Sequence, residues 1–239
     1  MYTVRTRKWG KPNRVMGRAE PATEPRAQLS RERVLETAVA FADRHGFEAL
    51  SMRKLGEELG TSAMALYYYV SNKERLLDGM IDLVFGEIEP PSTEGDWKAE
   101  MRKRALSTRE ALRRHPWAVG EMEGRTEHGP ANLRLHNDVL GCLRAAGFSI
   151  QKTVRAYSVL DAYIYGFALQ ERDMSSETAD DFAAEAQRQM VEYQALLADY
   201  PYLVEVVGGY VAEAGYDYET EFLFGLDLIL EGLEKMRDA

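Results

Sequence analysis

The chain has 239 residues, of which 45% are hydrophobic and 29% charged, with a formal net charge of −9 and one cysteine. This composition excludes wholesale disorder and collagen-like structure. The single Cys142 cannot form an internal disulfide, which predicts a reducing, cytoplasmic setting. No apolar stretch approaches the roughly 18 residues of a membrane span, and the N-terminus lacks the apolar core of a signal peptide. Taken alone, the negative charge argues against nucleic-acid binding.

The charge is unevenly divided along the chain. Residues 1–28 carry seven bases and two acids, a net charge of +5, whereas residues 29–89 carry −4 and residues 90–239 carry −10. The first segment contains three prolines and has no helical or strand period, which predicts a flexible basic tail. Such a tail either follows the phosphate backbone of DNA or is a passive solubilising segment, and the sequence leaves both open.

From residue 30 onwards, apolar residues recur at helical spacing. The predicted N-terminal helices are about 30–46, 51–60, 62–70 and 71–89. Ser30 is expected to cap the first helix, and Ser71 the fourth, with capping-box spacing to Glu74; the second helix is expected to start at Ser51 and to stop at Gly60.

Further helices are predicted over about 96–115, 129–146, 149–172, 176–199, 201–214 and 218–236. Alternating runs bounded by hairpin turns, which are typical of strands, are absent from the sequence. The predicted fold class is all-α. We expect a tail (1–28), a three-helix helix-turn-helix unit with a connecting fourth helix (29–89), and a helical ligand-binding and dimerisation domain (90–239).

The segment 51–73 carries the pattern that favours DNA binding. Two short helices joined by the tight Gly60-Thr61 turn have helix-turn-helix geometry, which places the second helix in a major groove. Three successive tyrosines point about 100° apart on a helix, so at least one hydroxyl should face solvent or phosphate; alternatively, they only pack the small domain. The candidate DNA-contacting residues are Arg53, Ser62, Ala63, Met64, Ala65, Tyr67, Tyr68, Tyr69 and Lys73.

The run from Leu59 to Leu77 resembles the DNA-binding domain of the TetR family of transcriptional repressors. It carries Leu-Gly, then Leu-Tyr, then Asn-Lys and Leu-Leu at the family's spacing. The resemblance implies that these nine residues contact a palindromic double-stranded operator. Since Ala63 and Ala65 stand where longer polar readers are common, the operator sequence does not follow.

The body resembles the ligand-binding class of the tetracycline repressors, most clearly at its C-terminal end. This resemblance implies a homodimer built on a four-helix interface, and a repressor that leaves DNA when a small molecule binds. The corresponding helices are about 154–172 and 218–236. The apolar face expected at the interface consists of Phe222, Leu226, Ile229, Leu230 and Leu233.

A mostly apolar pocket with a few polar tips is expected between the helices of the body, suited to an apolar or aromatic effector. The candidate ligand-binding residues are Trp117, Met122, His136, Tyr157, Asp161 and Tyr165, and Tyr163 and Phe167 are also suited to such a cavity. Each aromatic residue could instead be core, and Asp161 is either a pocket acid or a contact across the dimer. An ungapped alignment places Glu123 and Glu127 where tetracycline repressors use His and Arg, which predicts a different effector.

No metal, cofactor or catalytic motif is expected. The four histidines lie in no HExxH or CxxC-linked set, and glycine-rich nucleotide loops are absent from the sequence. The sequence therefore predicts a non-enzymatic, ligand-responsive repressor. The alternatives are a helical small-molecule-binding or scaffolding protein with a non-functional helix-turn-helix and, as a third reading, an enzyme.

Overall fold

The computed structural model describes residues 29–122, 128–174, 188, 199–206, 209 and 217–239, and these residues form helices and no strand. The helices are α1 (Arg31–His45), α2 (Met52–Leu59), α3 (Ala63–Leu66), α4 (Lys73–Gly86), α5 (Trp97–Arg114), α6 (Pro116–Met122), α7 (Pro130–Ala145), α8 (Ile150–Met174), α9 (Pro201–Val206) and α10 (Tyr218–Asp238). The all-α prediction is confirmed.

A side-chain cap begins α1 as predicted, and α2, which starts where the sequence predicted it to, is also capped. The hydroxyl of Ser30 accepts from the backbone N–H of Arg33 at 3.2 Å, and that of Ser51 accepts from Lys54 at 3.3 Å. Gly60 ends α2 in the left-handed region, with φ of 64°, which glycine adopts without strain. The faces of α1, α2 and α3 enclose a core that includes Val34, Leu35, Ala38, Leu55 and Leu66.

Two local predictions in this unit are wrong. The third helix is shorter than the predicted 62–70, because Tyr68 and Tyr69 donate to carbonyls three residues back and close tight turns instead of continuing the α-helix. The cap of α4 is Asn72, whose side chain accepts from the N–H of Arg75 at 2.7 Å, and not Ser71. Asn and Ser are comparably good caps, so the sequence does not distinguish the two positions.

The body packs α5, α7, α8 and α10 around a second core that includes Trp97, Met101, Phe148, Ile164 and Phe222. The sequence did not predict α6, which begins at a proline where α5 has just ended. The helix predicted over 176–199 lies almost entirely outside the described residues. Of the helix predicted over 201–214, the structure describes α9.

Two links join the N-terminal unit to the body. Helix α4 belongs to both cores, since Leu76 and Met80 pack in the first and Val84 and Phe85 in the second. The second link lies between α1 and the α5–α6 junction and is centred on Asp43.

The Asp43 link consists of polar contacts. Asp43 Oδ1 accepts from Trp117 Nε1 at 2.7 Å and lies 2.8 Å from His115 Nδ1. The other ring nitrogen of His115 lies 3.1 Å from Glu87, just beyond the end of α4. The position of the N-terminal unit on the body is therefore set both by apolar packing and by directional contacts.

Candidate DNA-binding and effector sites

The helix-turn-helix is closed by a near contact between α2 and the following turn. A Cβ added at Gly56 would lie 2.8 Å from the carbonyl oxygen of Thr61, so only glycine fits this position without a shift. The hydroxyl of Ser62 then accepts from the N–H of Ala65 at 3.2 Å and caps α3. Ser62 therefore has a structural role in addition to the predicted contact with DNA.

Three apolar or aromatic side chains project from the recognition segment. Met64 is 78% exposed, Tyr68 is 88% exposed and Tyr67 is 45% exposed. Ala63 and Tyr69, by contrast, pack against the N-terminal core. The alternative that the tyrosines only pack the small domain holds in part for Tyr69 and not for Tyr67 or Tyr68.

The two predicted phosphate partners flank this surface. Arg53 is exposed and forms an ion pair of 2.8 Å with Glu57 one turn along α2. Such an exposed pair is weak, so the guanidinium can exchange Glu57 for a phosphate at little cost. The Nζ atom of Lys73 lies 4.8 Å from the centre of the Phe47 ring, which holds the side chain at the start of α4.

In the body, a buried ion pair links α5 to α8. Arg104 is 2% exposed, and its Nη1 atom lies 2.7 Å from Asp161 Oδ1. The approach lacks hydrogen-bond geometry, and the Nε atom of Arg104 has no protein partner among the described residues. Asp161 thus pairs with a cation of its own subunit, and Arg104 retains a donor without a protein partner among the described residues.

Two tyrosines of α8 surround this pair. Burial, and then the charge of Asp161, raise the pKa of both Tyr157 and Tyr165 above the ordinary value of 10.0. Both hydroxyls therefore stay protonated at neutral pH and can donate hydrogen bonds. The cluster offers Arg104 and the two tyrosines as donors, with Asp161 as an acceptor.

Helix α7 extends the cluster. The ring of His136 lies 5.3 Å from that of Tyr157, and its Nδ1 atom is 2.9 Å from the backbone carbonyl of Asn132. The side-chain oxygen of Asn132 is buried and has no hydrogen-bond partner among the described residues. A ligand that donates a hydrogen bond would satisfy it.

The structure brings His136, Tyr157, Asp161 and Tyr165 together, but Trp117 lies elsewhere. Its ring stacks on Phe47 at 6.1 Å, at the junction with the N-terminal unit. Met122 lines a small cleft beside Phe85 and Asn132. Tyr163 and Phe167 pack against Phe222, as the alternative assignment to the core predicted.

Sequence reasoning missed Arg104 and Asn132. A signal existed for Arg104, which falls on the apolar face of α5 with Met101, Ala105 and Thr108. A charged residue at such a position is rarely fully buried without a partner. Asn132 carried no comparable signal.

The predicted dimer face of α10 is wrong. Of its five residues, four are buried in the subunit's own core and Ile229 is partly buried against it; the four are Phe222, Leu226, Leu230 and Leu233. Tyr163 explains the glycine at 225, because its hydroxyl donates to the carbonyl of Phe222 at 2.9 Å and would overlap a Cβ there.

The exposed apolar residues of α8 and α10 lie on another face. This open face comprises Val154, Val159 and Leu169 of α8 with Phe224 and Leu228 of α10. Phe224 is 63% exposed and Leu228 is 60% exposed. Exposed patches of large apolar side chains usually mark an interaction surface.

Among the described residues, His, Cys, Asp and Glu form no group of three or more that could hold a metal ion. His128 and His136 do approach each other, with ring centres 6.2 Å apart. None of the described helices is long and apolar enough to cross a membrane. Glu123 and Glu127 lie outside the described residues.

An exposed recognition helix on a compact three-helix unit, joined to a helical body with a buried polar cluster, defines a ligand-responsive helix-turn-helix regulator. Residues 34–80 match the family described as bacterial regulatory proteins, tetR family, and residues 89–237 match the tetracyclin repressor-like C-terminal domain. The chain belongs to the TetR family, whose members bind operator DNA as homodimers, respond to small-molecule effectors and are generally non-enzymatic.

Individual relatives agree with this assignment. The transcriptional repressor DrrR1 of Streptomyces coeruleorubidus is 35% identical over 221 residues, which cover 90% of this chain and 80% of DrrR1. The class C tetracycline repressor of Escherichia coli is 29% identical over 217 residues, or 88% and 93% of the two chains. The structure of Streptomyces coelicolor ActR in complex with actinorhodin matches with a TM-score of 0.74 and 27% identity, covering 89% of this chain and all of ActR. The protein is a ligand-responsive, DNA-binding transcriptional repressor.

Proposed function

We propose that the operator is read by the nine predicted residues of the helix-turn-helix and that the effector binds at the Arg104–Asp161 cluster. The unit formed by residues 29–89 is the DNA-binding domain, and residues 90–239 bind ligand and form the dimer. Since the repressor acts on DNA and no catalytic group has been assigned, we infer a non-enzymatic role in the cytoplasm.

The observation that carries the DNA-binding assignment is the exposure of Met64, Tyr67 and Tyr68. Burying these side chains would stabilise the fold, yet all three face outward from the recognition segment. Met64 can contact a thymine methyl group, and the tyrosine hydroxyls can donate to phosphates. A scaffold with a non-functional helix-turn-helix gives no reason for this exposure.

The observation that carries the effector site is the buried guanidinium of Arg104 with an unpartnered Nε donor. Asp161 balances the charge of Arg104, so an uncharged acceptor such as a carbonyl or hydroxyl group fits better than a third charge. The rings of His136, Tyr157 and Tyr165 favour a flat aromatic body. The complex of the similar protein ActR with actinorhodin supports a small-molecule effector of this kind.

Gel-shift titration with DNA from the region upstream of the protein's own gene tests the DNA surface. Tyr67→Ala and Tyr68→Ala should each weaken binding by about tenfold or more, equivalent to one lost contact of about 1.4 kcal/mol. Tyr202→Ala is a matched control, because Tyr202 is 81% exposed on α9. Wild-type affinity of both recognition variants, with folding intact, would show that the surface is wrongly assigned.

The effector site is tested by screening planar aromatic carbonyl compounds, including actinorhodin, for release of the protein from DNA. A compound that releases the wild type should fail to release Tyr157→Phe combined with Tyr165→Phe, because both hydroxyl donors are gone. Tyr163→Phe, which alters a tyrosine of the same helix that bonds within the core, should respond as the wild type does. Equal release of all three proteins would place the effector elsewhere.

A further inference from the structure

The N-terminus of α7 is capped by a residue of another helix. Gly129 occupies the N-cap position and has no side chain to accept hydrogen bonds. Instead, Asp82 Oδ1 on α4 accepts from the backbone N–H groups of Ala131 at 2.9 Å and Asn132 at 3.0 Å. A carboxylate at the positive end of a helix makes charge-assisted bonds, so this contact holds α4 to α7 more firmly than a neutral cap would.

The residue opposite Asp82 is suited to this contact. A Cβ added at Gly129 would overlap the Asp82 carboxylate. Gly129 has φ of −75°, a value that residues with side chains adopt readily, so its lack of a side chain serves close approach and not backbone freedom. The glycine at 129 therefore allows the Asp82 carboxylate to reach the N-terminus of α7.

Helix α4 connects this contact to the DNA-binding surface. Its first residue, Lys73, is a predicted phosphate partner and lies nine residues before Asp82, or about 14 Å along the helix axis. A tilt of α4 about Asp82 therefore displaces its DNA-facing end over a lever of about 14 Å. Small changes at Asp82 become larger ones at the operator.

The surroundings leave room for such a tilt. A cleft of about 430 Å³ lies beside the contact and is lined in part by Tyr69, Ser71, Asp78 and Gly129. The link through Asp43 remains when Asp82 is removed, so the N-terminal unit stays attached to the body.

We propose that Asp82 is a positioning residue for DNA binding, which fixes the spacing of the two recognition helices in the homodimer by holding α4 against the N-terminus of α7. Asn132, in the first turn of α7, lies one turn before His136, whose ring packs against Tyr157 of the proposed effector site. If that proposed function is correct, an effector that contacts His136 moves the helix that Asp82 caps, and so changes the spacing.

The spacing is measured directly by electron–electron spin resonance on the homodimer, without DNA or effector. Nitroxide labels are placed at Ala40→Cys on the exposed side of α1, in a Cys142→Ala background. Asp82→Ala should shift or broaden the distance distribution by about 3 Å or more, which corresponds to a tilt of roughly 12° over the lever of about 14 Å between Lys73 and Asp82. Asp82→Asn, which keeps the acceptor oxygen but loses the charge, should shift it less.

Asp96→Ala is the matched control, because Asp96 caps α5 from within its own helix, accepting from Lys98 at 3.2 Å. It should lower the melting temperature without changing the spacing. If Asp82 had a purely structural role, Asp82→Ala would behave like Asp96→Ala, with a lower melting temperature and an unchanged spacing. An unchanged spacing in Asp82→Ala would overturn the proposal.

A double-mutant cycle with Gly129→Ala isolates the contact itself. Gly129→Ala alone should shift the spacing as Asp82→Ala does, since the new Cβ displaces the carboxylate. In the Asp82→Ala background the same change should add nothing, because the space is then vacant. Equal shifts in both backgrounds would contradict the assignment. A negative result would count against the role of Asp82 but not against the proposed DNA and effector sites, since the spacing is measured without either ligand.

Discussion

The guanidinium of Arg104 and the carboxylate of Asp161 meet at 2.7 Å inside the body, with side chains 3% and 15% exposed. Burying such a pair removes two charges from water, and well-packed apolar residues in their place are often as stable or more so. Stability alone therefore does not explain the pair. Its unused donor, together with the neighbouring tyrosines, gives it a use in recognition.

Removing one partner of this pair should be costly and removing both should not. Arg104→Met leaves Asp161 buried without a cation, so the free energy of unfolding should fall by about 3 to 5 kcal/mol. The double variant Arg104→Met/Asp161→Leu should recover most of that loss. Urea denaturation of the homodimer at fixed protein concentration measures both. Additive losses in the double variant would mean that the two side chains do not interact.

The open face of α8 and α10 should carry the dimer. Leu228→Glu places a charge in an apolar interface and should shift the protein from dimer to monomer in sedimentation velocity at micromolar concentration. Leu203→Glu is the control, because Leu203 is 50% exposed and belongs to α9, which is not part of that face. Dimers of unchanged stability in Leu228→Glu would exclude this face as the interface.

The sequence predicted the elements whose signals are local. The cap at Ser30, the start of α2 at Ser51 and its end at Gly60 follow from residue chemistry within one turn, and the structure has them there. The face of α10 that is open to a partner could not be predicted in this way, because two apolar stripes on one helix look alike in the sequence. The burial of Phe222 and Leu226 and the packing of Tyr163 across Gly225 show that the Phe222 stripe is internal.

The candidate effector site could be predicted only for the residues that lie on one helix. Tyr157, Asp161 and Tyr165 share a helical face by spacing, so their proximity is readable from the sequence. Arg104 reaches them from α5 and His136 from α7, and no local pattern encodes which helices meet. The Asp82 cap on α7 joins residues about 50 positions apart and was equally invisible.

Cys142 should be inert to thiol reagents in the folded protein. It is 2% exposed, and burial, followed by the charge of Glu100, raises the pKa of its thiol from 9.0 to about 11. Since the thiolate is the reactive form, iodoacetamide at pH 8 should label the protein only after unfolding in urea.

The same pKa shift predicts an effect of pH on stability. The unfolded chain loses the thiol proton near pH 9, whereas the folded protein keeps it up to about pH 11. This contribution to the free energy of unfolding is therefore complete below pH 9 and falls as the pH rises towards 11. Cys142→Ala should lose less stability than the wild type over that interval. Rapid labelling of the folded protein at pH 8 would contradict both expectations.

Residues 1–28 should contribute to operator affinity through charge. The segment has a net charge of +5, whereas residues 29–89 have a net charge of −4, so the DNA-binding unit has little attraction of its own for phosphate. Each phosphate neutralised contributes about −0.9 to the slope of log affinity against log salt concentration. Removing the segment should therefore lower the affinity and flatten the slope by several units. A full-length variant with its seven bases changed to glutamine should behave like the truncated protein, which separates charge from chain length. An unchanged slope in both variants would identify the segment as passive.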